Sequence, residues 1–182
     1  CSDDTDGIER LEIQYGTSFF YPVSAVGSHV SAIPNHQTGR KTPLKTRGVV
    51  AMAGSFGYEM DLNLLSPDEK EVVKEQVVDY KKYYDLIPNG DYYRLTNPQT
   101  DEVGAWAFVS EDKKDVLFSA VMIRRHGNMT VNYIRLQGLA PEKIYRDEKT
   151  GKSYSGAALM EAGIPLPIEE GESLAYQMYP KQ

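Results

Sequence analysis

Three carboxylates fall within four residues near the start of the chain, at Asp3, Asp4 and Asp6 of Cys1-Ser2-Asp3-Asp4-Thr5-Asp6. A helical pattern follows at once, with Ile8, Leu11 and Tyr15 on one face, so the acidic group sits at a helix N-terminus, where backbone donors stabilise anions. Two readings stand side by side. Acidic residues in a first helical turn are ordinary capping. A carboxyl kept protonated by burial or by a neighbouring like charge would instead serve as a general acid. Spacing by itself does not choose between them.

A second polar cluster, Ser28-His29-Val30-Ser31-Ala32-Ile33-Pro34-Asn35-His36-Gln37, gathers two histidines, an Asn and a Gln. His29 and His36 have a spacing that suits one helix face, but Pro34 interrupts any such helix, which argues against a metal pair. Loop-fixing hydrogen bonds and substrate contact are the remaining readings. His126, in Arg124-Arg125-His126-Gly127-Asn128, reads as a solvated hairpin turn. Of 13 tyrosines, Tyr80, Tyr83, Tyr84, Tyr92 and Tyr93 gather near the end of a long helical pattern, as an aromatic sugar platform or, preferred here, as interdomain packing.

The elements that must position these groups follow from periodicity and punctuation. Thr5 or Asp6 to Tyr15 reads as a short helix stopped by Gly16. Thr17 to Val30 reads as a buried loop with a brief strand. Thr42 and Pro43 form a cap and first-turn proline for a helix over Leu44–Ala53. Phe56, Tyr58 and Met60 alternate as a strand ending at Asp61. Ser66-Pro67-Asp68-Glu69 is a capping box that opens a helix running to about Ile87, with Val72, Val73, Gln76, Val77, Tyr80, Tyr84 and Ile87 on its packed side. Beyond Gly90 only strand-like runs appear: Trp106–Val109, Val116–Ile123, Asn132–Leu136, Lys143–Asp147 and Leu174–Tyr179. That change places a domain boundary between about 88 and 104 and predicts an antiparallel sandwich after it.

Composition narrows the function class. At 182 residues, 41% hydrophobic and 25% charged, the chain can bury a core, and no apolar run is long enough to span a membrane. A net charge of -6 argues against a phosphate-tracking nucleic-acid binder. One cysteine and three histidines allow neither a disulfide framework nor a zinc finger, so chemistry must rest on carboxylates, and neither metal nor cofactor is expected. The chain opens on Cys1 rather than Met, as in a processed lipoprotein or a piece of a longer enzyme. Helical spacing where a lipoprotein would place a linker favours the second.

Several long motifs occur in fixed order: Ser2-Asp3-Asp4-Thr5-Asp6-Gly7-Ile8-Glu9-Arg10-Leu11, Gln14-Tyr15-Gly16-Thr17-Ser18, Tyr21-Pro22, His29-Val30-Ser31-Ala32, Pro34-Asn35-His36-Gln37-Thr38-Gly39-Arg40, Thr42-Pro43-Leu44-Lys45-Thr46-Arg47 and Phe56-Gly57-Tyr58-Glu59-Met60-Asp61. Together they resemble the melibiase-type α-galactosidases of glycoside hydrolase family 36. The resemblance is close over the first 90 residues and general beyond. It implies an α/β part followed by an all-β part: residues 1–90 as the last part of a (β/α)8 barrel and residues 91–182 as a C-terminal β-sandwich. It also implies that Asp3 is the general acid/base, with Asp4 as the fallback.

The family's nucleophilic aspartate follows a Trp on an earlier strand, whereas the single Trp here, Trp106, precedes Ala107 in the strand-rich half. The Cys-Ser-Gly-Gly segment and the galactose-binding tryptophans and aspartate pair are likewise missing. The expectation is therefore a portion of a retaining enzyme acting on galactosyl oligosaccharides such as melibiose and raffinose, inactive on its own and completed by the rest of a parent chain. A cytoplasmic, homo-oligomeric protein with no nucleic-acid or membrane partner is expected. The alternative is a non-catalytic carbohydrate-binding or interaction module built on the strand-rich half. The first 88 residues are expected to need a packing partner, because an opened barrel exposes strand edges and apolar helix faces.

Overall fold

The computed structural model describes residues 3–124 and 131–166 in full and the backbone of 173–180. His126, expected in a hairpin turn, lies outside the described residues. The chain divides into two compact units, Cys1–Pro88 and Asn89–Gln182.

The first unit contains helices α1 (Glu9–Thr17), α2 (Leu44–Ala51) and α3 (Pro67–Tyr83) and strands β1 (Gly27–Ser31) and β2 (Ser55–Glu59), followed by a single turn, α4 (Leu86–Asn89). Strands β1 and β2 pair in parallel, from Gly27 opposite Ser55 to Ser31 opposite Glu59. A parallel pair needs a crossover, and α2 supplies it. Val30, Leu44 and Ala51 form the buried centre, with Phe56, Tyr58, Met60, Val72 and Val73 packed around it. Helix packing therefore takes the face of β1 that carries Ser28 and Val30. The alternate face, with Gly27, His29 and Ser31, is left for the site.

Helix α1 begins and ends later than its periodicity predicts. The Asp6 carboxylate accepts the N–H groups of Ile8 at 2.8 Å and Glu9 at 3.1 Å, closing a turn ahead of the helix. Gly16 does not stop it: the residue sits on an exposed face, where glycine costs about 1 kcal/mol and is tolerated. The loop beyond is not buried as expected. Phe19, Phe20 and Tyr21 continue in helical turns that swing their side chains outward, and Phe20 is 85% exposed.

Thr42 does not cap α2 either. Pro43 is the boundary residue and no side chain caps it, while the Thr42 carbonyl accepts the Arg47 Nε–H at 2.9 Å. On α3 the capping box of Ser66 and Glu69 is present, but the helix ends at Tyr83. Its buried residues are Gln76 and Tyr83, not Tyr84, which is exposed. Tyr83 lies seven residues from Gln76, close to two full turns, and Tyr84 is rotated about 100° further toward solvent.

Gly48 lets α2 and α3 approach. A Cβ there would stand 2.1 Å from Gln76 Nε2, and the buried Gln76 amide donates to the Leu44 carbonyl at 3.0 Å while accepting the Tyr58 hydroxyl at 2.8 Å. Burial pushes the Tyr58 phenol up to about 12, against the opposing pull of the Arg47 charge.

The second unit is built on a six-stranded sheet. Its strands are β3 (Asp91–Arg94), β4 (Val103–Val109), β5 (Val116–Met122), β7 (Ile144–Asp147), β8 (Ser153–Ser155) and β10 (Ser173–Pro180), and β6 (Asn132–Ile134) and β9 (Ile164–Leu166) form a separate ladder. The order in the large sheet is β3-β4-β5-β10-β7-β8, with antiparallel neighbours throughout. Val109, Phe118, Tyr145, Ile134 and Ile164 share one core, so the ladder packs on the sheet.

A short helix, α5 (Gly156–Glu161), was not predicted. The Ser155 hydroxyl accepts the Ala158 N–H at 3.1 Å and fully buried Leu159 enters the core. Trp106 is 5% exposed within a strand buried along its whole length, which removes it as a surface aromatic for sugar binding. Within the first unit Tyr80 stacks on Phe56 at 4.9 Å, and within the second Tyr92 packs on Phe108 at 5.1 Å.

Candidate active site

A cavity of about 520 Å³ opens beside the free face of β1, lined among others by Asp3, Asp4, Arg10, His29, His36 and Glu59. Gly27, His29 and Ser31 share its wall because alternate residues of a strand face one way. Gly57 stands opposite His29 in the parallel register, and a Cβ at that position would meet the imidazole at 3.0 Å, so the glycine makes room for the ring. The cavity runs along β1 from Gly27 at its start to Ser31 at its end, where Glu59 ends the paired strand β2.

The three aspartates of the opening segment have separate environments. Asp6 is 1% exposed and accepts four donors: the N–H groups of Ile8 and Glu9, the Thr38 hydroxyl at 2.5 Å and the Arg40 guanidinium. Burial pushes its pKa up, but the Thr38 hydroxyl, the two backbone donors and the Arg40 charge outweigh this and hold it below the usual carboxylate range. Asp6 is therefore ionised and structural. Asp4 Oδ1 accepts the Asp6 N–H at 2.8 Å, and its carboxylate raises the Glu9 pKa by accepting a hydrogen bond from the protonated Glu9 carboxyl. Asp3 is exposed at the cavity, and its carboxyl group makes no hydrogen bond among the described residues.

The acidic loop is held from outside by the segment over 35–40. Thr5 N–H donates to Gln37 Oε1 at 3.1 Å, Asn35 Nδ2 donates to the Thr5 hydroxyl at 2.9 Å, and Gln37 Nε2 reaches the Asp3 carbonyl at 3.4 Å. Asn35 Oδ1 in turn accepts the N–H groups of Gln37 and Thr38. The amides thus fix the loop, as one reading of the polar cluster expects, while His29 and His36 line the cavity. His29 Nδ1 stands 4.0 Å from Glu59 Oε2. Among the described residues no group of three or more His, Cys, Asp or Glu side chains is placed to hold a metal ion.

Sequence reasoning missed Arg10, Ser31 and Glu59 as individual lining residues. Arg10 donates to the Gly27 carbonyl at 2.7 Å; burial lowers its pKa, opposed by the nearby Asp4 charge. The signal for Glu59 was available only once β1 and β2 were paired, since register puts it beside Ser31.

This geometry has close counterparts. The melibiase family model matches residues 1–90, and the model of the glycosyl hydrolase family 36 C-terminal domain matches residues 103–178. The bifunctional α-galactosidase/sucrose kinase AgaSK of Mediterraneibacter gnavus is 57% identical over 97% of this chain, and α-galactosidase AgaA of Geobacillus stearothermophilus is 45% identical over 96%. The chain spans 19% and 24% of those relatives, respectively. The solved galactosidase domain of AgaSK superposes with a TM-score of 0.96 at 55% identity, covering all of this chain and 26% of that one. A variant of AgaA in complex with raffinose superposes at 0.95 and 43% identity, over 99% of this chain and 25% of its own. The chain belongs to the melibiase-type glycoside hydrolases of family 36.

Proposed function

We propose that this chain is the C-terminal part of a retaining α-galactosidase that releases terminal α-linked galactose from oligosaccharides such as melibiose and raffinose, with Asp3 as the general acid/base. Residues 1–90 form the last part of its (β/α)8 barrel and residues 91–182 its β-sandwich. The alternation of β1, α2, β2 and α3, with helices on one face of the parallel pair and the cavity on the other, supports the barrel. A six-stranded antiparallel sheet sharing a core with a second ladder supports the sandwich.

One observation carries the assignment of Asp3. Of the three clustered aspartates, Asp6 is committed to a buried ion pair and Asp4 to a backbone turn, while the Asp3 carboxyl faces the cavity without a protein partner among the described residues. It is free to donate a proton to the departing sugar oxygen and then to take one from the attacking water. Retaining chemistry places the nucleophile about 5 Å away across the scissile bond. The family resemblance puts that nucleophile on an earlier barrel strand, so the chain on its own has no turnover.

Replacing Asp3 by Ala in the complete enzyme tests this. Hydrolysis of raffinose should fall by about 10²-fold or more, the usual contribution of acid/base assistance. A p-nitrophenyl galactoside, whose leaving group needs little protonation, should lose less in the step that breaks the glycosidic bond. Raffinose hydrolysis within about tenfold of wild type would refute the role of Asp3.

A further inference from the structure

We infer that Gln37 is a positioning residue for the acid/base: its side-chain amide grips the backbone that carries Asp3 and so sets the direction in which the Asp3 carboxyl projects. The inference rests on the α-galactosidase reading and deepens it. Gln37 Oε1 accepts the Thr5 N–H at 3.1 Å, and Gln37 Nε2 donates to the Asp3 carbonyl at 3.4 Å. These two groups belong to the peptide units on either side of Asp4, so one side chain spans both. A carboxamide carries a donor and an acceptor side by side, as this pairing needs. Peptide units are planar, so holding the carbonyl of Asp3 fixes its ψ and with it the exit of its side chain.

Gln37 is itself anchored. Asn35 is 5% exposed; its Oδ1 accepts the Gln37 N–H at 2.9 Å and the Thr38 N–H at 3.0 Å, and its Nδ2 donates to the Thr5 hydroxyl at 2.9 Å. A buried amide and an exposed one thus hold Thr5 by its hydroxyl and by its N–H. Asp4 turns its carboxylate onto the Asp6 N–H at 2.8 Å, while Asp3 lines the cavity. The Gln37 side chain is exposed and meets the acidic segment through backbone groups, a kind of contact that adds little to global stability. Displacing a catalytic group by about 1 Å, in contrast, costs about 10²-fold in rate. Gln37 therefore acts on geometry more than on folding.

The test uses the complete enzyme with raffinose, whose leaving oxygen must be protonated, and p-nitrophenyl α-galactoside, whose leaving group needs little protonation. Gln37→Met keeps the side-chain length and removes both hydrogen bonds; Gln37→Ala removes the side chain altogether. In each variant kcat/KM on raffinose should fall about tenfold, while kcat/KM on the aryl substrate stays within about threefold of wild type. The thermal midpoint should move by no more than about 2 °C. Adding Gln37→Met to Asp3→Ala should leave raffinose hydrolysis within about twofold of the single Asp3 variant, because no carboxyl is left to aim.

Equal losses on the two substrates would overturn the proposal, since they mark a general structural role. So would a Gln37→Met loss that adds in full to that of Asp3→Ala, or raffinose hydrolysis within about threefold of wild type in both Gln37 variants. If Asp3→Ala itself leaves raffinose hydrolysis within about tenfold of wild type, the acid/base reading fails and this one with it. A crippled Asp3→Ala beside Gln37 variants of wild-type rate sinks this one alone.

Discussion

Asp6 and Arg40, 34 residues apart in the chain, form an ion pair in which the Asp6 side chain is fully buried and the arginine is partly open to solvent. The pair fastens the acidic segment to the loop over 35–40 and so sets where Asp3 stands.

Asp6→Asn should keep much of the turn at Ile8 and Glu9, because Asn caps well, while losing the charge that faces Arg40 and Thr38. The expected cost is about 2–3 kcal/mol, as for a hydrogen bond to a charged group, read from chemical denaturation. Because the folded-state pKa of Asp6 is depressed, its contribution is present above the unfolded value and lost as pH falls through the folded one. Acid sensitivity below about pH 4 should therefore be smaller in the variant than in wild type. Equal acid sensitivity would show that Asp6 does not report folding.

Tyr58 titrates in the opposite sense. Burial pushes its pKa up to about 12, so the stability it contributes is intact below the unfolded value of about 10 and is lost as pH rises from there toward about 12. Tyr58→Phe should remove that part of the alkaline loss. It should also cost about 1 kcal/mol at neutral pH, because the Gln76 carbonyl oxygen loses its donor. Parallel stability curves for the two proteins between pH 9 and about 12 would contradict the assignment.

Tyr145 ties a hairpin to the core of the second unit. Its ring is fully buried, and its hydroxyl donates to the Lys113 carbonyl at 2.9 Å and accepts the Ala140 N–H at 3.1 Å. Lys113 has a φ of 58°, a left-handed conformation that a lysine adopts only when its surroundings impose it. Tyr145→Phe should destabilise by about 1–3 kcal/mol and accelerate hydrogen exchange at the Ala140 amide. Unchanged exchange there would mean that the hydroxyl does not anchor the turn.

Periodicity and punctuation carried much of the fold. The capping box at Ser66 and Glu69, the alternation around Phe56 and Tyr58, and the runs that become β4, β5, β6, β7 and β10 are local, and local physics writes them into composition. Helix α2 starts at Leu44 as expected, though without the Thr42 cap, and Leu159 found a core that made a helix of a segment with no helical pattern of its own.

The same division holds for the site. The chain's own motifs marked Asp3, Asp4 and Asp6 as an acidic cluster and Asn35, His36 and Gln37 as a polar one, because residue type is a property of the sequence. That Asp6 is the aspartate locked by an arginine depends on Thr38 and Arg40, more than thirty residues away, while Asp4 is held in a local turn and Asp3 lines the cavity. Ser31 carried no signal of its own: a serine in a strand is unremarkable until pairing with β2 places it beside Glu59 at the cavity wall. Desolvation and hydrogen-bond satisfaction are decided by what surrounds a group in three dimensions, and that is why tertiary structure alone separated these roles.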